Sequence, residues 1–370
     1  MSRTEPNRSS NMTTISPGIP ILGTGARTAL GLSAPATAAA VRAGVAMMEE
    51  HPSLVDKRGT PMVVCRDAEL SADLGGVERF LQLGLPPALE ALRPLLAKNS
   101  LPAPLSVLVA LPEPRPGLSA DLGNRFGQQF AVGLKKQGID IQHLDCHPLG
   151  NAGGLVCMEW ARSRIEDGSS QLCLVGGVDS YLEPETLKWL DSTDQLHSET
   201  TIWGFCPGEG AGFCLLAATE LAERLGVAAA IRLRSAASAL EANRIGTDSV
   251  CTGEALSEAF EKTLATLSGE RVDHTICDMN GDPYRGNEFG FAMMRSSGRF
   301  AEGSDFDTPA DCWGDIGAAS GPLFAMLASF AASKKYTPGP LTFLWASSQG
   351  GQRACALLQA IDSNGGVVRD

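Results

Sequence analysis

Short unbroken apolar runs recur along this chain, and most of them hand over to a stretch of helical period. LSVLVAL (105–111), QLCLVGGVDS (171–180), GFCLLAA (212–218) and LTFLWASS (341–348) are apolar at nearly every position and do not alternate. A strand with one wet face alternates, so runs of this kind predict strands covered on both faces. Between them lie helix-period segments: Val77–Leu96, with Phe80, Leu81, Leu85, Leu89 and Leu92 near one face, then 118–134, 152–166 closed by Gly168, 253–267 and 321–333. The first such unit is GIPILGTGARTALG (18–31), a strand ending in a glycine turn, followed by the Ala-rich helix SAPATAAAVRAG. IDIQHLDC, AAIRLRSAAS and HTICDMNG add strands, a helix begins near Asn287–Met294, and SSQGGQR turns one strand back on the next. Strand and helix alternate throughout, which predicts an α/β protein whose sheets carry helices on both faces.

At 370 residues, the chain is longer than one hydrophobic core usually serves, so two domains or two fused halves are expected. The polar opening segment 1–17 has no apolar core like that of a secretory signal and reads as a flexible tail, with the cytoplasm as the compartment. No segment approaches the roughly 20 apolar residues of a membrane span. The net charge of −12 repels phosphate backbones and argues against a nucleic-acid partner. Ten cysteines are scattered without metal-ligand spacing, so they read as reduced packing residues, and no metal or cofactor is expected. GTGARTALG lacks both the P-loop lysine and the third glycine of a dinucleotide fingerprint.

Four separated segments, in order, resemble the β-ketoacyl synthases. ILGTGARTALGLSAPATAAAVRAG is similar to that family's opening strand, turn and helix. DGSSQLCLVGGVDSYLEPE resembles its strand with paired glycines and an acidic residue. FCPGEGAGFCLL resembles its Gly-rich segment, with Gly208, Glu209, Gly210, Ala211 and Gly212 in place, and SSQGGQRACALL resembles its last hairpin. The resemblance implies a thiolase-like fold of two similar halves in a five-layer αβαβα arrangement. Residues 18–225 would form the first half and 226–370 the second, after the tail 1–17.

A condensing enzyme of that class holds an acyl group on a cysteine thiolate at a helix N-terminus and stabilises an enolate with neighbouring donors. Here the corresponding helix is GNAGGLVCMEWARSRIEDG, and an ungapped count back from Gly168 and the Gly176–Gly177 pair puts Asn151 at the cysteine. An amide cannot carry a thioester. The family's two histidines correspond to Asn280, before Gly281, and to Asp315 in ADCWGDIGAASG, where Ala310 takes the place of a lysine. A carboxylate at 315 would repel a developing enolate. Gln349 stands where the family commonly has a phenylalanine beside its oxyanion site. The resemblance thus implies no intact catalytic set.

Two cysteines remain as alternative nucleophiles. Cys146 precedes Pro148 and Gly150, and Cys157 lies about two turns into the helix, beyond its free amides. His147 beside Cys146 suggests a thiol and imidazole pair, although adjacent residues of an extended strand face opposite ways. His51 and His197 read as loop residues, and His143 flanks the site. The acidic pairs Glu49–Glu50 and Glu183–Glu185 read as solvated faces. Three readings follow. The first is a non-catalytic partner, specificity or adaptor subunit, as a homodimer or paired with a homologous subunit, with acyl carrier protein a further partner. The second is an acyltransferase on acyl-carrier-protein or coenzyme A thioesters using relocated residues. The third is a rigid adaptor in an unrelated assembly such as a secretion system.

Overall fold

The structure is a computed structural model that describes residues 18–97, 101, 103–245, 247 and 249–361, so the opening segment 1–17 lies outside the described residues. The first half runs β1 (Ile19–Thr28), α1 (Ala34–Arg42), a hairpin of β2 (Glu49–Val55) and β3 (Pro61–Val64), α2 (Gly76–Leu96), β4 (Leu105–Leu111), α3 (Leu122–Lys136) and β5 (Ile141–Pro148). A 3-10 turn at Gly150–Ala152 leads into α4 (Gly153–Glu166), followed by β6 (Leu172–Ser180), α5 (Pro184–Ser192), β7 (Glu209–Ala217) and α6 (Thr219–Leu225). The remainder is β8 (Ile231–Leu240), α7 (Glu254–Leu264), β9 (His274–Cys277), α8 (Pro283–Ser296), the short α9 (Ala310–Trp313), α10 (Ser320–Ser333), β10 (Leu341–Ser347) and β11 (Gln352–Ala360).

Among the described residues the main sheet has nine strands in the order β5-β4-β6-β7-β1-β8-β11-β10-β9. Its centre is the antiparallel contact of β1 with β8, from Ile19 opposite Leu233 to Ile21 opposite Ile231. Outward from that seam the two wings repeat one pattern. β7 and β11 lie antiparallel to β1 and β8, β6 and β10 antiparallel to those, and β4 and β9 parallel to β6 and β10. The first wing carries one strand more, β5, parallel to β4. This order shows a duplicated topology that no letter-by-letter repeat reveals.

The wings fold back on each other around α4 and α10. Helix α4 packs on β4 and β6 of one wing and on β8 and β11 of the other, and α10 spans the same gap. Their sequences explain the position: Ser320 to Ala328 of α10 and Gly153 to Met158 of α4 are buried without a break, and a helix apolar on all sides belongs inside. On the outer faces α2 and α3 cover the first wing, and α7, backed by α8, covers the second. The layers are therefore helix, sheet, helix, sheet, helix. Two glycines make the first outer layer possible. A Cβ at Gly23 or Gly25 of β1 would overlap the carbonyls of Ala91 and Pro87, so the GTG run lets the backbone of α2 lie directly on the strand.

Several elements differ from the sequence reading. β6 continues past Gly176–Gly177 to Ser180, and α8 begins at Pro283, where Asp282 Oδ1 accepts the Tyr284 amide at 2.9 Å, rather than at Asn287. His51, expected in a loop, belongs to the hairpin strand β2, together with Glu49 and Glu50. α5 and α6 also form in stretches the apolar pattern leaves blank. Among the described residues no helix is long and apolar enough to cross a membrane.

Candidate functional site

The mouth of α4 is set by its approach. β5 ends at Pro148, Gly150 takes φ +63°, and the 3-10 turn delivers Asn151 to the start of the helix, 4% exposed. Asn280 follows β9, while Asp315 follows α9 through Gly314 at φ +74°. These three positions, far apart in sequence, meet in space. Asn151 Nδ2 donates to Asp315 Oδ1 at 3.0 Å, Asn280 Nδ2 donates to Asp315 Oδ2 at 2.6 Å, and the Gly317 amide donates to Oδ1 at 2.8 Å. The backbone of Asp315 is pinned as well, its amide donating to Cys206 O at 2.7 Å and its carbonyl accepting from the Gly208 amide at 2.8 Å. The carboxylate is thus saturated by fixed donors.

The neighbouring donors are also engaged. Ser348 Oγ accepts the Ala152 amide at 2.9 Å and donates to Leu149 O at 2.6 Å. An oxyanion site needs preorganised donors aimed at empty space, and this one is aimed at a hydroxyl. Gln349 Nε2 donates to Gln195 Oε1 at 2.7 Å, and the Gly350 amide donates to Glu113 Oε1 at 2.9 Å. The cavity bordered by Asp315, Asp278, Trp313 and Phe324 measures about 10 Å³. That is room for one water at most.

Around this cluster lie buried ion pairs that the sequence reading missed. Arg115 Nη2 donates to Asp179 Oδ1 at 2.5 Å, and the Ala318 amide donates to Asp179 Oδ2 at 2.9 Å. Arg285 pairs with Asp278 and stands 4.0 Å from Asp315 Oδ2. Arg79 holds Glu209 at 2.6 Å, and Arg353 holds Glu288 at 2.5 Å. Glu209 is the acid of the GEGAG run, so that residue ties β7 to α2. Burial pushes the carboxyls of Asp179 and Glu113 up, and that of Asp278 up to about 6, against the pull of neighbouring arginines or amides. Apart from Asp179 beside the paired glycines and Glu209 in the GEGAG run, no local motif signals these pairs, because the partners of each are separated in the sequence.

Cys146 and His147 are not brought together. On β5 the Cys146 thiol packs toward α3, 3.3 Å from where Gly127 would carry a Cβ, while the His147 ring sits edge-on to Trp160 of α4 with centroids 4.6 Å apart. They occupy opposite faces of the sheet, as strand geometry dictates. Burial, then Asp145, pushes the Cys146 thiol up to about 12, and burial lowers His147. Cys157 is fully buried with its thiol pushed up by burial. His143 and His197 are exposed.

Among the described residues one group of metal-type ligands occurs, Glu241, Cys251 and Glu288, with one ligand atom from each within 4.8 Å of the others. Its carboxylates are already used: Glu288 by Arg353 and by Ser347 Oγ at 2.7 Å, Glu241 by the amides of Asn243 at 3.0 Å and Ala255 at 3.1 Å. They read as structural acceptors.

Residues 150–222 match the sequence model of the β-ketoacyl synthase N-terminal domain. A comparison with curated proteins finds no match. Among solved structures, the chain is similar to one chain of a complex described as a type II polyketide synthase acyl-carrier protein with its ketosynthase bound to the hexaketide, at 16% identity over 93% of this chain and 99% of the other, with a TM-score of 0.76. It is also similar to the ishigamide ketosynthase/chain length factor, at 18% identity over 93% and 100% with a TM-score of 0.68. A third likeness is to a ketosynthase in complex with its chain length factor from Xenorhabdus doucetiae, at 14% identity over 93% and 98% with a TM-score of 0.69. The layered sheet, the Gly-rich strands and these likenesses agree: the chain has the thiolase-like fold of the ketosynthases it resembles, and its segment 150–222 is similar to the β-ketoacyl synthase N-terminal domain.

Proposed function

We propose that this protein is a non-catalytic partner subunit of a condensing-enzyme system, in which Asn151, Asn280 and Asp315 stand where an active enzyme keeps its cysteine and two histidines. The observation that carries the reading is the closed cluster itself: both amides are bound to Asp315, and the adjacent Ala152 amide is bound to Ser348. A thioester needs a nucleophile, an enolate needs unfilled donors, and this cluster offers neither. The solved structures it resembles include ketosynthases described together with a chain length factor or an acyl-carrier protein. A homologous ketosynthase is therefore the partner class we favour, with the chain's own copy as the homodimeric form and acyl carrier protein as a further contact. β5 ends the sheet with one side unpaired among the described residues, and pairing would cover that edge. We read the two halves as meeting at 225–226 and place the protein in the cytoplasm, where ten unpaired thiols are at home.

The relocated-nucleophile reading needs Cys146 and His147 to act together, and their opposite faces weigh against it. Light scattering of the purified chain, alone and mixed with a ketosynthase from the same cells, tests the proposal. The expected result is a homodimer or a mixed dimer. A monomer at every concentration, with or without the ketosynthase, would count against it.

A further inference from the structure

We propose that a second site, a cleft between α1, β9, α10 and residues 306–312, binds a small monocarboxylate with an apolar body. The cleft has a volume of about 560 Å³, within the ~300–1,000 Å³ range typical of small-molecule sites. Val41, Ile276, Leu327 and Ala331 give it an apolar floor. At its rim the guanidinium of Arg42 lies 3.9 Å from the centroid of the Tyr336 ring. Stacking of this kind fixes the plane of the guanidinium while leaving its in-plane N–H donors available. Among the described residues neither the Arg42 guanidinium nor the Tyr336 hydroxyl makes a hydrogen bond, so a preset fork of donors sits unused beside an apolar floor.

The other polar groups at the mouth are already committed. His274 Nε2 lies 2.9 Å from Asp307 Oδ2, and Thr308 Oγ1 donates to Asp311 at 2.7 Å. Each of these two carboxylates holds one hydrogen bond, and their negative charge disfavours a dianion such as a phosphate monoester more than a monoanion paired with Arg42. A single carboxylate meeting the Arg42 fork, with Tyr336 Oη donating alongside and the apolar body on the floor, engages both unused donors.

The test is isothermal titration of the full chain with decanoate below its micellar concentration, with decyltrimethylammonium as the charge-reversed control. One saturable site per chain is expected for decanoate. Arg42→Gln should weaken it about tenfold or more, Tyr336→Phe by less because the ring stack remains, and Ala331→Phe should abolish it by filling the floor. Melting curves that match the parent's show that the variants fold. Absence of a saturable site, an affinity unchanged in Arg42→Gln, or equal binding of the quaternary ammonium would overturn the proposal.

Discussion

Asn151 and Asp315 are 164 residues apart and joined by a 3.0 Å hydrogen bond from amide to carboxylate, buried at the mouth of α4. The bond links the first half of the chain to the second, because Asn151 precedes α4 whereas Asp315 lies between β9 and α10. Asn280 closes the same carboxylate from the other side at 2.6 Å. The cluster therefore acts as a stitch between the wings, with its geometry fixed by backbone contacts to Cys206 and Gly208.

Removing the carboxylate should cost more than removing either amide. Asp315→Ala leaves two side-chain amides and the Gly317 amide without an acceptor beside a buried arginine, and should destabilise the fold by about 3–5 kcal/mol. Asn151→Ala removes one donor, at about 1–2 kcal/mol. Urea unfolding of the parent, both single variants and the double variant should give a coupling of about 0.5–3 kcal/mol. Additive losses would show that the two residues are not one unit.

Asp278 should leave a signature in the pH dependence of stability. Burial raises its folded pKa to about 6 from an ordinary value of 3.8, with Arg285 opposing. The folded chain then binds this proton more tightly than the unfolded chain. The stabilising contribution is complete below pH 3.8 and lost as the pH rises through about 6. Asp278→Asn removes the titration, so the parent's stability relative to the variant should fall with rising pH across that window, by on the order of 2–3 kcal/mol. Denaturant unfolding at steps across the window checks this, and parallel curves for the two proteins would show that Asp278 does not titrate there.

The sequence made the layers legible and left the polar interior almost blank. Unbroken apolar runs such as LSVLVAL announce strands covered on both faces, and β4 is buried at every position. The hairpin β2–β3 escaped because EEHPSLV is mostly wet and has no apolar face, and α5 because PETLKWLDS buries only Thr186, Leu187 and Leu190. Asn151, Asn280 and Asp315 were found through resemblance and spacing, and the structure brings them into contact. Their mutual hydrogen bonds could not be read, nor could Arg115–Asp179 or Arg79–Glu209. Those contacts span 64 and 130 residues, and a charged residue carries no local sign of the partner that will neutralise it.

The two cysteines weighed as alternative nucleophiles should be unreactive in the folded chain. With the Cys146 thiol pushed up to about 12 by burial, on the order of one molecule in 10⁴ carries a thiolate at pH 8. Cys157 is pushed up in the same direction and fully buried. Peptide mapping after brief iodoacetamide treatment should find both unmodified in buffer and both alkylated in urea. Rapid labelling of Cys146 in the native protein would contradict the burial seen here.

The non-catalytic reading is tested most directly by intact-protein mass spectrometry after incubation with acyl and malonyl thioesters of coenzyme A and of acyl carrier protein. The account predicts an unchanged mass and no β-ketoacyl product, because the residue at the helix mouth is an amide bound to Asp315. Asn151→Cys alone should give slow acylation at best and no condensation, since residues that act as a unit are not rescued singly. A stoichiometric adduct on Cys146 or Cys157 of the parent protein, with turnover lost in the matching Ser variant, would contradict the account and establish a relocated nucleophile.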